Sequence, residues 1–167
     1  MKRNLIAFTA LVLAVAACSP GGTLAEQVLE GQEGIENVEI DESTGEVKIE
    51  VEGEGDDEGG SFVIGGGDVP DDFAIDVMGG GEIEGVFQQP GGDSVSLVYS
   101  ASFDEVKGFY ENWVANSGFA ETYKLESSNP KQINWALSDG ETATFSITVS
   151  EGPDEVAVIL ITTEDQG

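Results

Sequence analysis

Apolar side chains alternate with polar ones along much of this chain, and this alternation limits the folds that it can adopt. Val47, Ile49 and Val51 are separated by charged residues, so one face of that segment is apolar and the other is charged. The same period of two returns in the segments that start at Val38 and at Ile133. Successive side chains of a strand point to opposite faces of a sheet, so these segments are predicted to be half-buried strands of an antiparallel sheet.

One segment follows a helical period instead. Ser102 and Glu105 have the spacing of a capping box, and Gly118 suits the end of a helix. Between them, apolar residues recur along one stripe of a helix. They are Phe103, Val106, Phe109, Tyr110, Trp113 and Val114. We therefore predict a helix from Phe103 to about Asn116 that packs on a sheet.

Together these patterns predict an α+β fold for residues 68–167. The predicted domain is an antiparallel sheet of about six strands, in the order ββαββββ, covered on one face by one long helix. Its last strand, Val156 to Thr163, is almost continuously apolar, which favours a central position in the sheet. Residues 36–67 are predicted to form an acidic, glycine-rich β-meander ahead of this domain. Trp113 and Trp135 are predicted to be core residues rather than a stacking site for a ligand.

The first 18 residues have a different character. Lys2 and Arg3 precede an uncharged apolar run from Leu5 to Ala17, and Cys18, the only cysteine, follows. The run is shorter than the roughly 20 residues that a helix needs to cross a bilayer, and it has the length of the hydrophobic region of a signal peptide. Residues 1–17 are therefore predicted to be a signal peptide that is cleaved between Ala17 and Cys18. Residues 18–35 are predicted to be a tether with a short helix.

The residues Val15-Ala16-Ala17-Cys18 resemble the lipobox of bacterial lipoproteins. This resemblance implies that Cys18 carries an S-diacylglyceryl group and an N-acyl group, enough acyl chains for stable anchoring. The lipid bilayer is then a partner: the periplasmic face of the outer membrane in a Gram-negative cell, and the outer face of the cytoplasmic membrane otherwise. The alternative is an ordinary secretory signal, or an uncleaved N-terminal anchor, that happens to contain a cysteine.

The rest of the chain resembles uncharacterised bacterial lipoproteins that have an acidic glycine-rich stretch and a small C-terminal α+β domain. The resemblance rests on the lead-in Val69-Pro70-Asp71-Asp72-Phe73 and on the segment 102–110 followed by Gly118-Phe119. It implies a fold and a location in the cell envelope, and it brings no activity with it.

The charge of the chain excludes nucleic acid as a partner. The sequence has 33 Asp and Glu against 6 Lys and Arg, a formal net charge of -27. Removal of residues 1–17 would leave only Lys48, Lys107, Lys124 and Lys131 as side-chain cations. Binding to phosphate backbones needs clustered Lys and Arg, which this chain lacks.

The sequence predicts no catalytic residue, no cofactor and no metal ligand. There is no histidine, so the commonest general base is missing, and no Gly-x-Ser-x-Gly motif occurs. Among 33 acidic residues, some pair falls at the spacing of glycosidase carboxylates by chance alone. We therefore predict that the protein is not an enzyme.

Two functions agree with these observations. The first is a non-enzymatic module of the cell envelope whose sheet face or edge strand contacts another envelope protein. The second is a cation-binding, for example calcium-binding, or small-ligand-binding lipoprotein that uses its acidic surface. Glu54, Asp56, Asp57 and Glu58 offer the oxygen ligands that calcium prefers, but the nearby stretch 41–52 lacks the glycine that an EF-hand loop needs at its sixth position.

Overall fold

The structure is a computed structural model that describes residues 35–41, 43–52 and 59–164. The predicted signal peptide, the cleavage position between Ala17 and Cys18, the tether up to residue 34 and the acidic run 54–58 lie outside the described residues.

The described residues form nine strands and one helix. The strands are β1 (Ile35–Ile40), β2 (Val47–Val51), β3 (Gly60–Ile64), β4 (Glu82–Gln89), β5 (Gly92–Tyr99), β6 (Ala120–Ser128), β7 (Lys131–Ser138), β8 (Ala143–Glu151) and β9 (Val156–Glu164). The helix, α1 (Phe103–Asn116), lies between β5 and β6 in the chain.

All nine strands belong to one sheet, in the spatial order β1-β2-β3-β4-β5-β9-β8-β7-β6. Every neighbouring pair is antiparallel. Consecutive strands pair from β1 to β5 and again from β6 to β9, and the two series join where β5 pairs with β9. The last strand therefore lies in the interior of the sheet, as its continuous apolar sequence predicted.

The predicted architecture, a sheet of about six strands preceded by a meander, is wrong. The strands of the predicted meander, β1, β2 and β3, are not ahead of the sheet but belong to it, because β3 pairs with β4 and places Phe62 opposite Phe87. The glycine run 65–67 closes this connection tightly. The Gly65 N–H donates to the Glu84 carbonyl at 2.6 Å, and the Gly67 N–H donates to the Glu46 carboxylate at 3.0 Å. The result is one continuous nine-stranded sheet.

The helix occupies the predicted residues, but it is short for this sheet. Ser102 caps it by accepting a hydrogen bond from the Glu105 N–H at 3.3 Å. With 14 residues it is about 21 Å long, which is the width of roughly four strands. The expectation of one long helix covering the sheet is therefore wrong, because α1 covers only the half that contains β5, β9, β8 and β7.

The main core lies between α1 and that half of the sheet. Trp135 is 1% exposed, and Val106 and Tyr110 of the helix are fully buried. The segment 69–78 closes the same core, with Ile75 buried in it. Trp113 is partly buried at its margin.

A smaller cluster lies on the opposite side of the sheet. It is centred on Ile35, Val38 and Ile49, all buried. The strand registers show that this cluster lies on the side of the sheet that faces away from α1, because residues that pair across neighbouring strands share a face. The pairing runs from Ile49 through Phe62, Phe87 and Ser94 to Ile161, whose neighbour Leu160 points into the main core. The two ends of the sheet thus bury opposite faces.

Tyr110 supplies a test of the main core. Its side chain is fully buried, and its hydroxyl lies near the Tyr99 hydroxyl and the Met78 carbonyl but makes no hydrogen bond of good geometry among the described residues. Burial raises the pKa of this phenol well above its ordinary value. A buried unsatisfied polar group costs roughly 1–3 kcal/mol, so we expect Tyr110→Phe to raise the free energy of unfolding by about 1 kcal/mol in urea titrations.

Tyr99→Phe is the matched control. The Tyr99 hydroxyl donates to the Met78 carbonyl at 2.9 Å, so the same deletion there should lower the free energy of unfolding by about 1 kcal/mol. Equal losses in the two variants would contradict the assignment of Tyr110 as the unsatisfied group.

Candidate functional site

Strand β6 forms one edge of the sheet and is exposed along its whole length. It pairs with β7, and every one of its residues from Ala120 to Ser128 is solvent-exposed. Alternate residues of an antiparallel strand direct their N–H and C=O groups away from the neighbouring strand. Since no other strand of the described chain pairs with the far side of β6, these groups are available for hydrogen bonds to an added strand.

The opposite edge of the sheet is shorter and less accessible. Strand β1 has six residues, of which Ile35 and Val38 are buried in the smaller cluster. It also carries a register shift between Ile35 and Asn37. Of the two edges, β6 is therefore the better template for a further strand.

The side of the sheet that faces away from α1 is apolar at β6. Tyr123 and Leu125 are 54% and 50% exposed and lie on this face. Ile159 and Ile161 of β9 lie on the same face and are also exposed. Polar residues of β7 and β8 separate the two pairs, for example Asn134, whose side chain accepts a hydrogen bond from the Thr148 hydroxyl at 2.6 Å.

The other side of β6 is charged and faces α1. Lys107 Nζ lies 2.6 Å from Glu126 Oε1, and Lys124 Nζ lies 3.2 Å from Glu111 Oε1. The hydrogen bond to Glu126 raises the pKa of Lys107, and the same bond lowers the pKa of the Glu126 carboxyl. Lys124 also lies 5.6 Å from the ring centre of Trp135. Exposed ion pairs contribute about 0–1 kcal/mol each to the stability of a protein. These pairs therefore add little to stability, but they connect the side chains of β6 to those of the helix.

These ion pairs make the β6 edge electrically unusual for this protein. Two of the four lysines after residue 17 take part in them, and a third, Lys131, begins β7 and pairs with Glu151 at 2.8 Å. Lys107 and Lys124 balance Glu111 and Glu126, whereas the chain as a whole carries a formal charge of -27. Glu121, also on β6, adds one further negative charge, so this edge carries a net charge of about −1 and is much less acidic than the molecule as a whole.

A second candidate site is an open cleft of about 700 Å³ near the β4–β5 hairpin. It is lined by five carboxylic residues that come from distant parts of the sequence, together with residues 88–92. The carboxylates are those of Glu36, Glu50, Asp72, Asp93 and Glu164. Within the described residues, no three acidic, histidine or cysteine side chains stand close enough to hold a metal ion.

Asp93 is a partly buried carboxyl of this cleft whose pKa is raised. Burial raises its pKa above the ordinary value of 3.8, and the neighbouring charges of Asp72 and Glu164 raise it further. A carboxyl whose pKa is raised by folding destabilises the folded state when it is ionised, and that cost disappears below the ordinary pKa. Asp93 therefore lowers the stability of the protein at neutral pH.

We expect Asp93→Asn to be more stable than the wild type at pH 7. The difference should shrink as the pH falls and vanish below about 3.8, where Asp93 is protonated in both the folded and the unfolded chain. Urea unfolding across this pH range measures it, with Asp154→Asn in the exposed β8–β9 loop as the control. A stability difference that does not change with pH would contradict this explanation.

The structure separates the residues that the sequence singled out. Cys18 and the acids Glu54, Asp56, Asp57 and Glu58 lie outside the described residues. Residues 43–52 are a turn followed by β2, with Gly45 at a φ of 79°, and the element before this turn is the strand β1 rather than the helix of an EF-hand. Trp135 is a core residue, as predicted.

Sequence reasoning missed both candidate sites. The cleft carboxylates come from five separate segments, so no local pattern could bring them together. The edge did leave a signal, because β6 has Lys124 and Glu126 on the face where β7 has Ile133, Trp135 and Leu137. A strand whose inward positions are charged belongs at an edge rather than in the interior of a sheet.

Among the described residues, no helix is both apolar enough and long enough to span a bilayer. No protein-family model, curated protein or solved structure matches this chain significantly.

Proposed function

We propose that this chain is a lipid-anchored lipoprotein of the bacterial cell envelope, a non-enzymatic module that binds another polypeptide along β6. The observation that carries the binding role is the exposed edge of β6, with unpaired backbone groups over nine residues and two exposed apolar side chains. An extended segment that pairs with such an edge gains main-chain hydrogen bonds, while pockets for alternate side chains give specificity. The sequence at Val15–Cys18 supports the anchor and the envelope location.

A photo-crosslinking amino acid tests this proposal in intact cells. Placed at Leu125, it should capture a polypeptide that is identified by mass spectrometry. Placed at Glu39, which is exposed on the opposite edge strand β1, it is the matched control and should capture much less. If neither position captures a polypeptide, or if both capture the same set, β6 is not a docking edge.

The acidic cleft supports a second function, the binding of a small cationic organic ligand. The observation that supports it is the convergence of five carboxylates on one cleft of about 700 Å³, where no three of these described side chains stand close enough to hold a metal ion. Calorimetric titration of a small diamine such as putrescine into the mature protein in detergent tests it, with Asp72→Asn as the variant that should weaken binding. The absence of heat at millimolar diamine, in wild type and variant alike, would contradict this function.

A further inference from the structure

The regular part of β6 has a self-complementary sequence. A register shift lies between Glu121 and Tyr123, and the strand is regular from Tyr123 to Ser128. When two copies lie antiparallel about a two-fold axis perpendicular to the sheet, the residues that face each other are on the same side of the sheet. Centred on Leu125, this alignment places Lys124 of each copy opposite Glu126 of the other. Leu125 of one copy then faces Leu125 of the other, on the side of the sheet that faces away from α1.

Other registers are worse. Centring the pair on Lys124 places two ammonium groups opposite each other, and centring it on Glu126 does the same for two carboxylates. Like charges directly opposite each other destabilise a strand pair. Centring it on Tyr123 sets Leu125 against Glu121 and runs through the register shift. The arrangement centred on Leu125 is thus the one that pairs opposite charges over the regular residues.

The surroundings of β6 favour the same arrangement. In each copy Glu126 is already paired with Lys107, and Lys124 is paired with Glu111. Facing copies would therefore join these pairs into one row of alternating charges. On the other side, Leu125 would be covered by its copy and by Tyr123 diagonally across the pair, a neighbour that aromatic side chains reach. The molecule as a whole is strongly acidic, so two copies repel each other less at this weakly charged edge than its overall charge would indicate.

We propose that the polypeptide that β6 binds is a second copy of this chain, in the antiparallel register centred on Leu125. The dimer continues the nine-stranded sheet across the two-fold axis, with both helices on the same side. This inference rests on the proposed function, because it names the occupant of the docking edge. The proposed lipid at Cys18 would hold both copies in one membrane plane, which raises their effective concentration.

Charge reversal tests the register. In the mature protein in detergent micelles, wild type should sediment as a dimer. Lys124→Glu and Glu126→Lys should each be monomers, because each variant sets like charges opposite each other in both pairs. A mixture of the two variants restores both opposite-charge pairs, so differently tagged chains should co-purify as a heterodimer. That rescue also shows that each variant is folded.

Cysteine crosslinking tests the same register by distance. Leu125→Cys should form a disulfide-linked dimer under mild oxidation. Tyr123→Cys should not, because position 123 of one copy is displaced along the strand by about four residues, or roughly 13 Å, from position 123 of the other. Chains with Tyr123→Cys and Ser127→Cys should crosslink when mixed. The unmodified chain, whose only cysteine is Cys18, is the background control.

The outcomes separate the two proposals. A monomeric wild type, or single charge variants that dimerise as well as wild type, would overturn self-pairing. If β6 then still captured a different protein in cells, the docking edge would stand and its occupant would be that protein. If β6 captured no polypeptide at all, both the inference and the binding role would fail.

Discussion

Replacing Trp135 with alanine is expected to lower the free energy of unfolding by about 3–5 kcal/mol. The side chain is 1% exposed and packs in β7 against the core beneath α1. Its removal deletes a large buried apolar surface and leaves a cavity that the neighbouring strands cannot close completely. Small domains are stable by about 5–15 kcal/mol, so this loss would leave the protein close to unfolding at room temperature.

Urea unfolding followed by far-ultraviolet circular dichroism measures the effect. Trp113→Ala is the matched control, because Trp113 is only partly buried at the edge of the same core. Its loss should be clearly smaller than that of Trp135. If the two substitutions cost the same, Trp135 does not contribute more to the core than Trp113, which would contradict their different burial in the structure.

Replacing Cys18 with alanine is expected to abolish the attachment of lipid. The thiol of Cys18 is the proposed site of the diacylglyceryl group, and the sequence contains no other cysteine that could take its place. Without that modification the precursor should keep residues 1–17. Metabolic labelling with a radioactive fatty acid, followed by gel electrophoresis, should show an unlabelled band of precursor size.

Ser19→Ala is the control for this experiment, since it leaves the four lipobox residues intact and should be labelled and processed normally. Normal cleavage of the Cys18→Ala variant would refute the lipoprotein assignment. Lipid labelling of that variant would show that the acyl chains are attached elsewhere.

The helix was predictable because its signals are local. Ser102 and Glu105 stand three positions apart, and the structure shows the predicted cap between them. The apolar stripe of the same segment depends only on the helical period, and Phe103, Val106 and Tyr110 are its buried members. Nothing from elsewhere in the chain was needed.

The extent of the sheet was not predictable in the same way. Alternation marks a strand but does not say which strand lies beside it, so β3 and β4 gave no sign that Phe62 would face Phe87. The three glycines between these strands resemble a linker in sequence. In the structure, the Gly67 N–H instead binds the Glu46 carboxylate from the β1–β2 hairpin. Such a bond depends on tertiary proximity.

The candidate sites depended on the same missing information. Tyr123 and Leu125 alternate with charged residues as in a half-buried strand, but their exposure follows from the position of β6 at the end of the spatial order. The acidic cleft needs β1, β2, β5 and β9 to converge with residue 72, which no single segment could reveal. Strand order, rather than residue type, decided where both sites lie.

The place of β9 in the sheet also has a consequence for how the protein is made. Strands β1–β5 complete their pairing early in the chain, but the far side of β5 waits for Val156–Glu164, the last strand in sequence. During synthesis or export from the N-terminus, the edge of β5 at Val95 and Leu97 therefore stays unpaired until Val156–Glu164 has emerged. Unpaired edges of apolar strands are the surfaces through which incompletely folded chains aggregate, so β5 is exposed to that risk until β9 arrives.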